Sequence, residues 1–465
     1  MDTSRSLGLL AAAVFGVGAG GCLDNGLKPE ARDTTPPSVQ VVTPQDTLYD
    51  TDGDRLLDLE LTWSDSAGAV DWASVRVRSL GGVNGPADSS TNLLDVWRVE
   101  RRDTLGLVVH ETLGNLLHGG SNQLEITLPD TAGNLRVDTI AFTLPHGAFV
   151  KTIVTGLGLG AIPANDVTVC PDDGRLYMTA NRNIVVVDPD SLRAIGIVRD
   201  PEAGDDLAKA LCVPGDAVLY VTQRVERFDR PSMSWLARIS GSFGSIGIVQ
   251  SRADQNVLYV GESIDGTIGI IDRAQGARTG QLLPFSSQFE YVFDLAVLDG
   301  DAKLFATRLA EGGILVIDPQ RDSVLGKIRV GDAAWPGPGR TDAITLSRDG
   351  QRLYAAVIEG LYRGVVEIDT RADSVVRVLP LFDYFCIDLA LSPSERRMFV
   401  TTQDNGSPSE NVLVDMTNWD VLETFPRPRI PAVTRFDQAV VFHPNGKLIF
   451  VAHNLDLDVY LSRET

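Results

Sequence analysis

The sequence predicts an all-β chain in which a small β-sandwich is followed by a ring of seven four-stranded sheets. The first observation is a short apolar-aromatic-apolar motif that returns seven times between residues 176 and 453. The second is a set of strand-length segments before residue 147, in which apolar and polar residues alternate with a period of two. No ten-residue stretch of that N-terminal region has the periodicity of a helix.

The composition limits the class of protein. The chain has 465 residues, of which 43% are hydrophobic, so it can bury the cores of two or three domains. Its formal net charge of −21 repels a phosphate backbone, and nucleic acid is therefore not an expected partner. Four cysteines without C-x-x-C spacing disfavour both thiolate zinc sites and a disulfide scaffold.

Residues 1–22 have the features of an export signal. An apolar run from Leu7 to Gly18 is too short to span a bilayer, and small residues precede Cys22. The segment Ala19-Gly20-Gly21-Cys22 resembles a bacterial lipobox, although alanine stands where leucine is usual. This resemblance implies an exported, membrane-anchored lipoprotein with lipid on Cys22. Leu23 then implies the outer membrane or cell surface. Ordinary cleavage, with an unmodified cysteine, is the alternative.

Residues 23–36 are predicted to be a polar linker, and residues 37–146 a small antiparallel β-sandwich. The predicted strands are 38–42, 57–63, 74–77, 123–128 and 139–144. The segments D-T-T-P-P-S-V before the first strand and D-T-A-G-N before the last resemble bacterial immunoglobulin-like (Ig-like) domains of extracellular proteins. The resemblance implies an Ig-like sandwich that acts as a spacer.

One loop of this domain could bind calcium, which prefers six to eight oxygen ligands. The candidate ligands are Asp50, Asp52, Asp54 and Asp58. The segment is similar to the D-x-D-G-D calcium loops of secreted repeats, but Arg55 and Leu61 depart from the EF-hand pattern. A solvated hairpin turn is the alternative, because Asp-Gly is a strong turn dipeptide.

The seven motif copies lie 39 to 51 residues apart, which is the length of a four-stranded propeller blade. Their aromatic residues are Tyr177, Tyr220, Tyr259, Phe305, Tyr354, Phe399 and Phe450. An apolar strand, usually ending in aspartate, follows each copy. The last copy stops after its third strand near Tyr460, and we expect the strand at 149–154 to complete that sheet. Residues 147–465 are therefore predicted to form a seven-bladed β-propeller.

The motif copy closest to a known pattern is Tyr220-Val221-Thr222-Gln223. It resembles the YVTN-type (YncE-like) propeller repeats of bacterial surface and periplasmic proteins. The resemblance implies a fold but no particular activity, because propellers carry many functions.

Acidic and aromatic residues recur where the chain enters the innermost strands. The aspartates are Asp166, Asp294, Asp342, Asp388 and Asp437, and the aromatic residues of the same connections include Tyr291, Trp335 and Tyr384. Carboxylates and ring faces around one mouth of the channel suit a cationic or sugar-like ligand. The alternative is structural: the aspartates would bond nearby backbone amides, and the aromatic residues would seal one blade against the next.

Signals for catalysis are few. The sequence contains no G-x-S-x-G, H-E-x-x-H or P-loop motif. His453, at the end of a second strand, would be the base of a propeller lyase, although a lone histidine is more often structural.

Cys170 and Cys212 fall near the ends of adjacent inner strands. We expect them to be buried free thiols, with a disulfide as the alternative.

The predicted function is non-catalytic binding of an envelope protein, a glycan or a small molecule. A propeller enzyme of the lyase or lactonase type is the alternative, and a purely architectural surface protein is a third hypothesis. Calcium is the one metal considered and no organic cofactor is expected. Contact with the membrane is expected through the lipid anchor only.

Overall fold

A computed structural model describes the chain in segments, and the predicted export signal, Cys22 and nearly all of the predicted linker lie outside them. The described residues are 34–44, 50, 55–66, 69–80, 83–84, 90–113, 115–155, 157, 164–201, 207–240, 244–262, 266–282, 292–308, 313–330, 340–358, 364–381, 385–403, 410–426, 437–453 and 456–463. Within these segments the chain is all-β, as predicted, and contains no α-helix. Three single 3₁₀ turns occur there, at Trp72–Ser74, Leu93–Asp95 and Asp299–Asp301.

The small domain contains two antiparallel sheets around one core. Its strands are β1 (Ser38–Thr43), β2 (Asp58–Ser64), β3 (Arg76–Ser79), β4 (Val83–Asn84), β5 (Arg98–Arg102), β6 (Gly106–His110), β7 (Leu116–Leu117), β8 (Gly120–Pro129) and β9 (Leu135–Leu144). One sheet has the order β1-β2-β6-β5 and the other β3-β8-β9, while β4 pairs with β7. Trp63, Trp97 and Phe142 lie in the shared core. Strands are present at the five predicted places, although the third begins at Arg76, and the four strands β4 to β7 were not predicted.

The remaining described strands form seven four-stranded antiparallel sheets, here called sheets I to VII. Sheet I contains β11 (Ala164–Val169), β12 (Leu176–Ala180), β13 (Asn183–Asp188) and β14 (Arg193–Arg199); sheet II contains β15 (Ala210–Cys212), β16 (Val218–Val221), β17 (Glu226–Asp229) and β18 (Ser234–Trp235); sheet III contains β19 (Ser245–Gln250), β20 (Val257–Glu262), β21 (Ile268–Asp272) and β22 (Ala277–Leu282).

The other four sheets follow the same plan. Sheet IV contains β23 (Val292–Val297), β24 (Leu304–Arg308), β25 (Ile314–Asp318) and β26 (Ser323–Ile328); sheet V contains β27 (Thr341–Leu346), β28 (Arg352–Val357), β29 (Gly364–Asp369) and β30 (Ser374–Pro380); sheet VI contains β31 (Phe385–Leu391), β32 (Arg397–Gln403), β33 (Glu410–Asp415) and β34 (Val421–Pro426); sheet VII contains β35 (Asp437–Phe442), β36 (Leu448–His453), β37 (Asp456–Ser462) and the early strand β10 (Gly147–Ile153).

The predicted closure by the early strand is confirmed. Strand β10 pairs antiparallel with β37, and the register places Phe149 opposite Tyr460 and Ile153 opposite Leu457. The first strands of the sheets also contact one another in a closed series: β11 with β15, β15 with β19, β19 with β23, β23 with β27, β27 with β31, β31 with β35, and β35 with β11. This arrangement is compatible with the blades of a propeller.

Burial differs between the strands of each sheet as the residue pattern predicts. The second strands β12 and β36 are buried along their whole length, because neighbouring sheets cover both faces. The outer strand β14 alternates between exposed and half-buried residues. The aspartate that ends the third strand closes the next turn: Oδ1 of Asp318 accepts hydrogen bonds from the amides of Gln320 and Arg321, both at 3.0 Å.

A buried ion pair joins the small domain to sheet VII. The guanidinium of Arg463, directly after β37, donates from Nη1 to Oε1 of Glu111 at 2.7 Å and from Nη2 to Oε2 at 2.6 Å. Both side chains have no exposed surface. The carboxylate also accepts the amide of Leu57 at 3.0 Å, and Leu116 of the small domain packs in a core cluster with Ile153. The two parts of the chain are therefore in extensive contact.

We expect Arg463→Met to destabilise the chain by about 3–5 kcal/mol, because the Glu111 carboxylate would remain buried without its partner. The measurement is the free energy of unfolding by denaturant titration. Arg136→Met is the matched control, since the Arg136–Asp138 pair is exposed and its loss should cost less than about 1 kcal/mol. Equal stabilities of the two variants would contradict this account of the contact.

Candidate functional site

Four of the seven sheets place a charged residue at one equivalent position near the start of the first strand. In each case a threonine in the second strand or directly after it, thirteen residues later in sequence, is hydrogen-bonded to that residue's backbone. The pairs are Asp166 with Thr179, Lys209 with Thr222, Asp294 with Thr307, and Asp388 with Thr401. These threonines are fully buried. They are the fourth residue of the repeated motif, which therefore has a structural role.

The threonine compensates for an irregularity in the first strand. The pairing register shifts at Asp166 and Asp388, and between Val292 and Leu295, which enclose Asp294. Such β-bulges leave an amide without a partner in the sheet. The hydroxyl of Thr307 accepts the amide of Asp294 at 2.9 Å, so the bulge is satisfied internally. The bulge in turn sets the direction of the aspartate side chain.

Each of the three aspartates bridges to a neighbouring sheet. Oδ2 accepts a backbone amide of the next first strand: Asp166 from Ala210 at 2.7 Å, Asp294 from Ile344 at 2.9 Å, and Asp388 from Val440 at 2.9 Å. Such bonds to backbone amides are expected if the aspartates have a structural role. The carboxylates therefore join sheet I to II, IV to V and VI to VII.

Lys209 brings these carboxylates into one cluster, although it lies in a different sheet from all of them. Its Nζ lies 2.6 Å from Oδ1 of Asp294, and its side chain is 27% exposed. Burial lowers the pKa of Lys209, but the charges of Asp294, Asp166 and Asp388 outweigh burial and hold the pKa above its usual range. Lys209 is therefore a cation that pairs with Asp294 and is stabilised by the charges of Asp166 and Asp388. We call these four residues the channel cluster.

The carboxylates of the channel cluster do not all keep ordinary acidity. Burial raises the pKa of Asp166 to about 6 and that of Asp388 to about 7, against the opposing effects of Lys209 and backbone amides. Repulsion from Asp294 adds to both increases. The charge of the channel cluster therefore changes in the neutral pH range.

Two of the five predicted aspartates do not occupy the equivalent position. Ile344 lies opposite Ala355, so Ala343 takes the aspartate's place in sheet V, one residue after Asp342. Both carboxylate oxygens of Asp342 are bound by Arg340, at 3.0 and 3.3 Å. In sheet VII the place belongs to Ala439, two residues after Asp437.

Other predicted residues cannot be assigned to the site. The side chain of Asp437 and the aromatic residues Tyr291, Trp335 and Tyr384 lie outside the described residues. Lys209 was not predicted at all. Its signal in the sequence is the thirteen-residue spacing to the motif threonine, which it shares with the three aspartates.

The predicted calcium ligands are only partly described. Asp52 and Asp54 lie outside the described residues, and the carboxylate of Asp50 accepts the amide of Arg55 at 3.1 Å. Oδ1 of Asp58 lies 2.5 Å from Nδ1 of His110, its partner on the adjacent strand. Among the residues that the structure describes, no group of three or more His, Cys, Asp or Glu could hold a metal ion. The calcium site stays a prediction.

His453 lies inside sheet VII. Its side chain is 2% exposed, and Nε2 is 2.9 Å from Oδ1 of Asp458, which also accepts the hydroxyl of Thr152 on the outer strand. These partners belong to β37 and β10, on the side of β36 away from the first strand. The candidate base is therefore enclosed by its own sheet.

The expectation of free thiols at Cys170 and Cys212 is wrong, because the two residues form a disulfide. Cys170 directly follows β11 of sheet I and Cys212 ends β15 of sheet II. Their Cα atoms are 5.3 Å apart, within the range that a disulfide requires. Burial alone could not distinguish a thiol from a bridge. Among the described residues, Cys386 is a buried free cysteine.

Comparison with known proteins adds no family to these observations. No protein-family model matches the chain, and no curated protein matches it either. The described segments contain no helix with the length and apolar character needed to cross a membrane.

We expect Asp388→Asn to reduce the pH dependence of stability. The folded-state pKa of Asp388 is about 7, whereas an unfolded aspartate titrates near 3.9. The folded chain therefore holds the proton more tightly, and the free energy of unfolding falls as pH rises from about 4 to about 7, by at most about 1.4 kcal/mol per pH unit. Asparagine removes this titration and can still accept the Val440 amide.

The measurement is denaturant unfolding of wild type and variant at several pH values across that window. Asp342→Asn is the matched control, since it makes the same change in a carboxylate paired with Arg340 outside the channel cluster. Identical slopes for wild type and Asp388→Asn would show that Asp388 does not titrate in this range.

Proposed function

We propose that sheets I to VII form a seven-bladed β-propeller of the YVTN type, and that the small domain is an Ig-like spacer. The closed series of contacts between first strands and the pairing of β10 with β37 support the ring. The seven motif copies, one on each second strand, support the repeat type. The two sheets that share one core support the sandwich.

We further propose that the chain is exported and attached to a membrane by lipid on Cys22. The disulfide between Cys170 and Cys212 supports export, because such bonds persist in oxidising compartments and are rare in the cytosol. The apolar run before Cys22 and the small residues next to it support processing at that cysteine.

At the envelope, we propose, the propeller binds a cationic ligand without chemical change. The observation that carries this proposal is the channel cluster, in which the ammonium of Lys209 pairs with Asp294 and also lies within the electrostatic influence of Asp166 and Asp388. Carboxylates outnumber the cation, so a ligand with one or more amines would balance the charge. Because the pKa of Lys209 is raised, this amine is a poor nucleophile.

The loops that precede the first strands contain aromatic residues, which also favour a cationic or sugar-like ligand. Asp294 is the third residue of β23 and Asp388 the fourth residue of β31, so both lie just inside the strand starts. The connections that lead into β23, β27 and β31 contain Tyr291, Trp335 and Tyr384. Aromatic faces are favourable partners for organic cations and for sugars. An aminated glycan or a polyamine therefore fits the proposal best.

We expect Asp166→Asn combined with Asp388→Asn to weaken binding of a polyamine at least about tenfold, since charge-assisted hydrogen bonds contribute about 1.5–3 kcal/mol each. Isothermal titration calorimetry with spermidine and with glucosamine oligomers measures the affinity at pH 8, where both carboxylates are ionised. Asp342→Asn is the control and should bind like wild type. Equal loss in the control, or no loss in the double variant, would remove the channel cluster as the binding site.

We expect the chain to incorporate a fatty-acid probe in a bacterial host, and Cys22→Ala to abolish that incorporation. The physical reason is that Cys22 is the sole proposed acceptor and that several acyl chains are needed for stable anchoring. In-gel detection of the probe and flotation of the chain with membranes are the two measurements. Label that survives Cys22→Ala, or its absence from wild type, would contradict the proposal.

A further inference from the structure

The small domain has two ends with different surroundings. One end, with Glu111, Leu117 and His146, contacts sheet VII through Arg463. Strand β2 runs away from this end for seven residues, from Asp58 to Ser64, which spans roughly 20 Å. We call the far end, formed by Ser64 and the turns at 103–106 and 130–134, the distal tip. The distal tip therefore points away from the ring.

Three large apolar side chains are exposed at the distal tip. Trp72 is 40% exposed, Leu105 67% and Leu135 56%. Soluble surfaces do carry single apolar residues, but three on adjoining segments form a patch that favours an apolar partner.

The backbone under these side chains is held firmly. Arg102 donates to the carbonyls of Trp72 at 2.7 Å and Val75 at 3.0 Å. Oδ1 of Asp103 accepts the amide of Leu105 at 2.8 Å. Leu135 lies opposite Pro129, whose carbonyl accepts the amide of Asp71 at 2.9 Å, next to Trp72. The patch is thus a fixed surface that presents its apolar groups outward.

The N-terminal segment enters the fold at the same end. Ser38, the first residue of β1, lies opposite Ser64, and their hydroxyl oxygens are 2.7 Å apart. The amide of the neighbouring Trp63 donates to the carbonyl of Leu105 at 3.4 Å. Cys22 precedes Ser38 by sixteen residues, a distance of at most about 55 Å when fully extended. A membrane attached at Cys22 would therefore lie within about 55 Å of Ser38 at the distal tip.

We propose that the distal tip lies on the bilayer surface, with Trp72, Leu105 and Leu135 at the boundary between the headgroups and the acyl chains. The proposal rests on the lipid at Cys22, which raises the effective concentration of the tip at the bilayer and makes a weak contact sufficient. Tryptophan is favoured at membrane interfaces. The net charge of −21 opposes binding to an anionic surface, and Arg102, Arg136 and Asp103 give the tip mixed charge. The partner is therefore a bilayer of zwitterionic headgroups.

The test places an environment-sensitive fluorophore on Leu105→Cys. The chain from Leu23 onward carries an N-terminal hexahistidine and is held on phosphatidylcholine vesicles that contain a nickel-chelating lipid and brominated acyl chains. This tether replaces the native lipid, so the test does not depend on modification of Cys22. The matched control is Val324→Cys on the outer strand of sheet IV, where Val324 is 53% exposed. Cys170 and Cys212 are bridged and Cys386 is buried, so labelling is confined to the new cysteine.

We expect quenching of about twofold or more at position 105 and almost none at position 324, because only a probe near the acyl chains meets bromine. Equal, weak quenching at both positions overturns the proposal. A blue shift at position 105 that grows with surface density, without quenching, also overturns it, since the tip would then cover a second copy of the chain. Flotation of the native chain reports separately on Cys22, so failure of the lipid attachment and failure of the tip contact are distinguishable.

Discussion

The backbone pairing of β10 with β37 is the interaction that closes the series of seven sheets. It joins segments about three hundred residues apart in sequence. Strand β10 supplies the outer, fourth strand of sheet VII, so that this sheet has the same number of strands as the other six. It also brings the two ends of the ring segment together, because the amide of Arg463 donates to the carbonyl of His146 at 2.8 Å. The small domain ends at Leu144 and must therefore lie beside the seam. The Arg463–Glu111 ion pair lies next to this seam and is itself fully buried.

The repeated bulge explains how one ring can be both symmetric in backbone and asymmetric in charge. The motif threonine binds the free amide of the bulge, as Thr307 binds that of Asp294. The side chain at the bulge then points toward the next sheet, where Asp294 accepts the amide of Ile344. Sheets III, V and VII have Gly247, Ala343 and Ala439 at this position, which carry no charge. The carboxylates consequently fall in sheets I, IV and VI, and Lys209 in sheet II. If a cationic ligand binds at the channel cluster as proposed, it would meet a directional field instead of a uniform ring of charge.

The fold was largely predictable because burial imposes a periodic pattern, whereas details of register were not. The second strands are buried on both faces, and that requirement produces the repeated apolar motif. Strand β5 was missed because Arg98–Arg102 is an edge strand of mostly charged residues, in which burial imposes no alternation. Asp342 was misplaced because a shift of one residue turns a side chain to the opposite face of a strand. The disulfide was only the alternative to free thiols, because a cysteine at an apolar strand position fits the same hydrophobic pattern whether or not it is bonded.

The connection between the two parts of the chain bears on whether the proposed spacer is rigid. Strand β9 ends at Leu144 and β10 begins at Gly147, so only two residues lie between them. The amide of His146 donates to Glu423 at 2.9 Å while its carbonyl accepts Arg463, and the ion pair with Glu111 adds a second fixed point. A hinge needs freedom at such a connection, and these bonds remove it. The ten residues of β9 span about 33 Å, so the small domain would hold the ring at a set distance from whatever surface contacts the distal tip. A rigid spacer would fix the orientation of the ring as well as its distance from that surface, which a flexible linker of the same length cannot do.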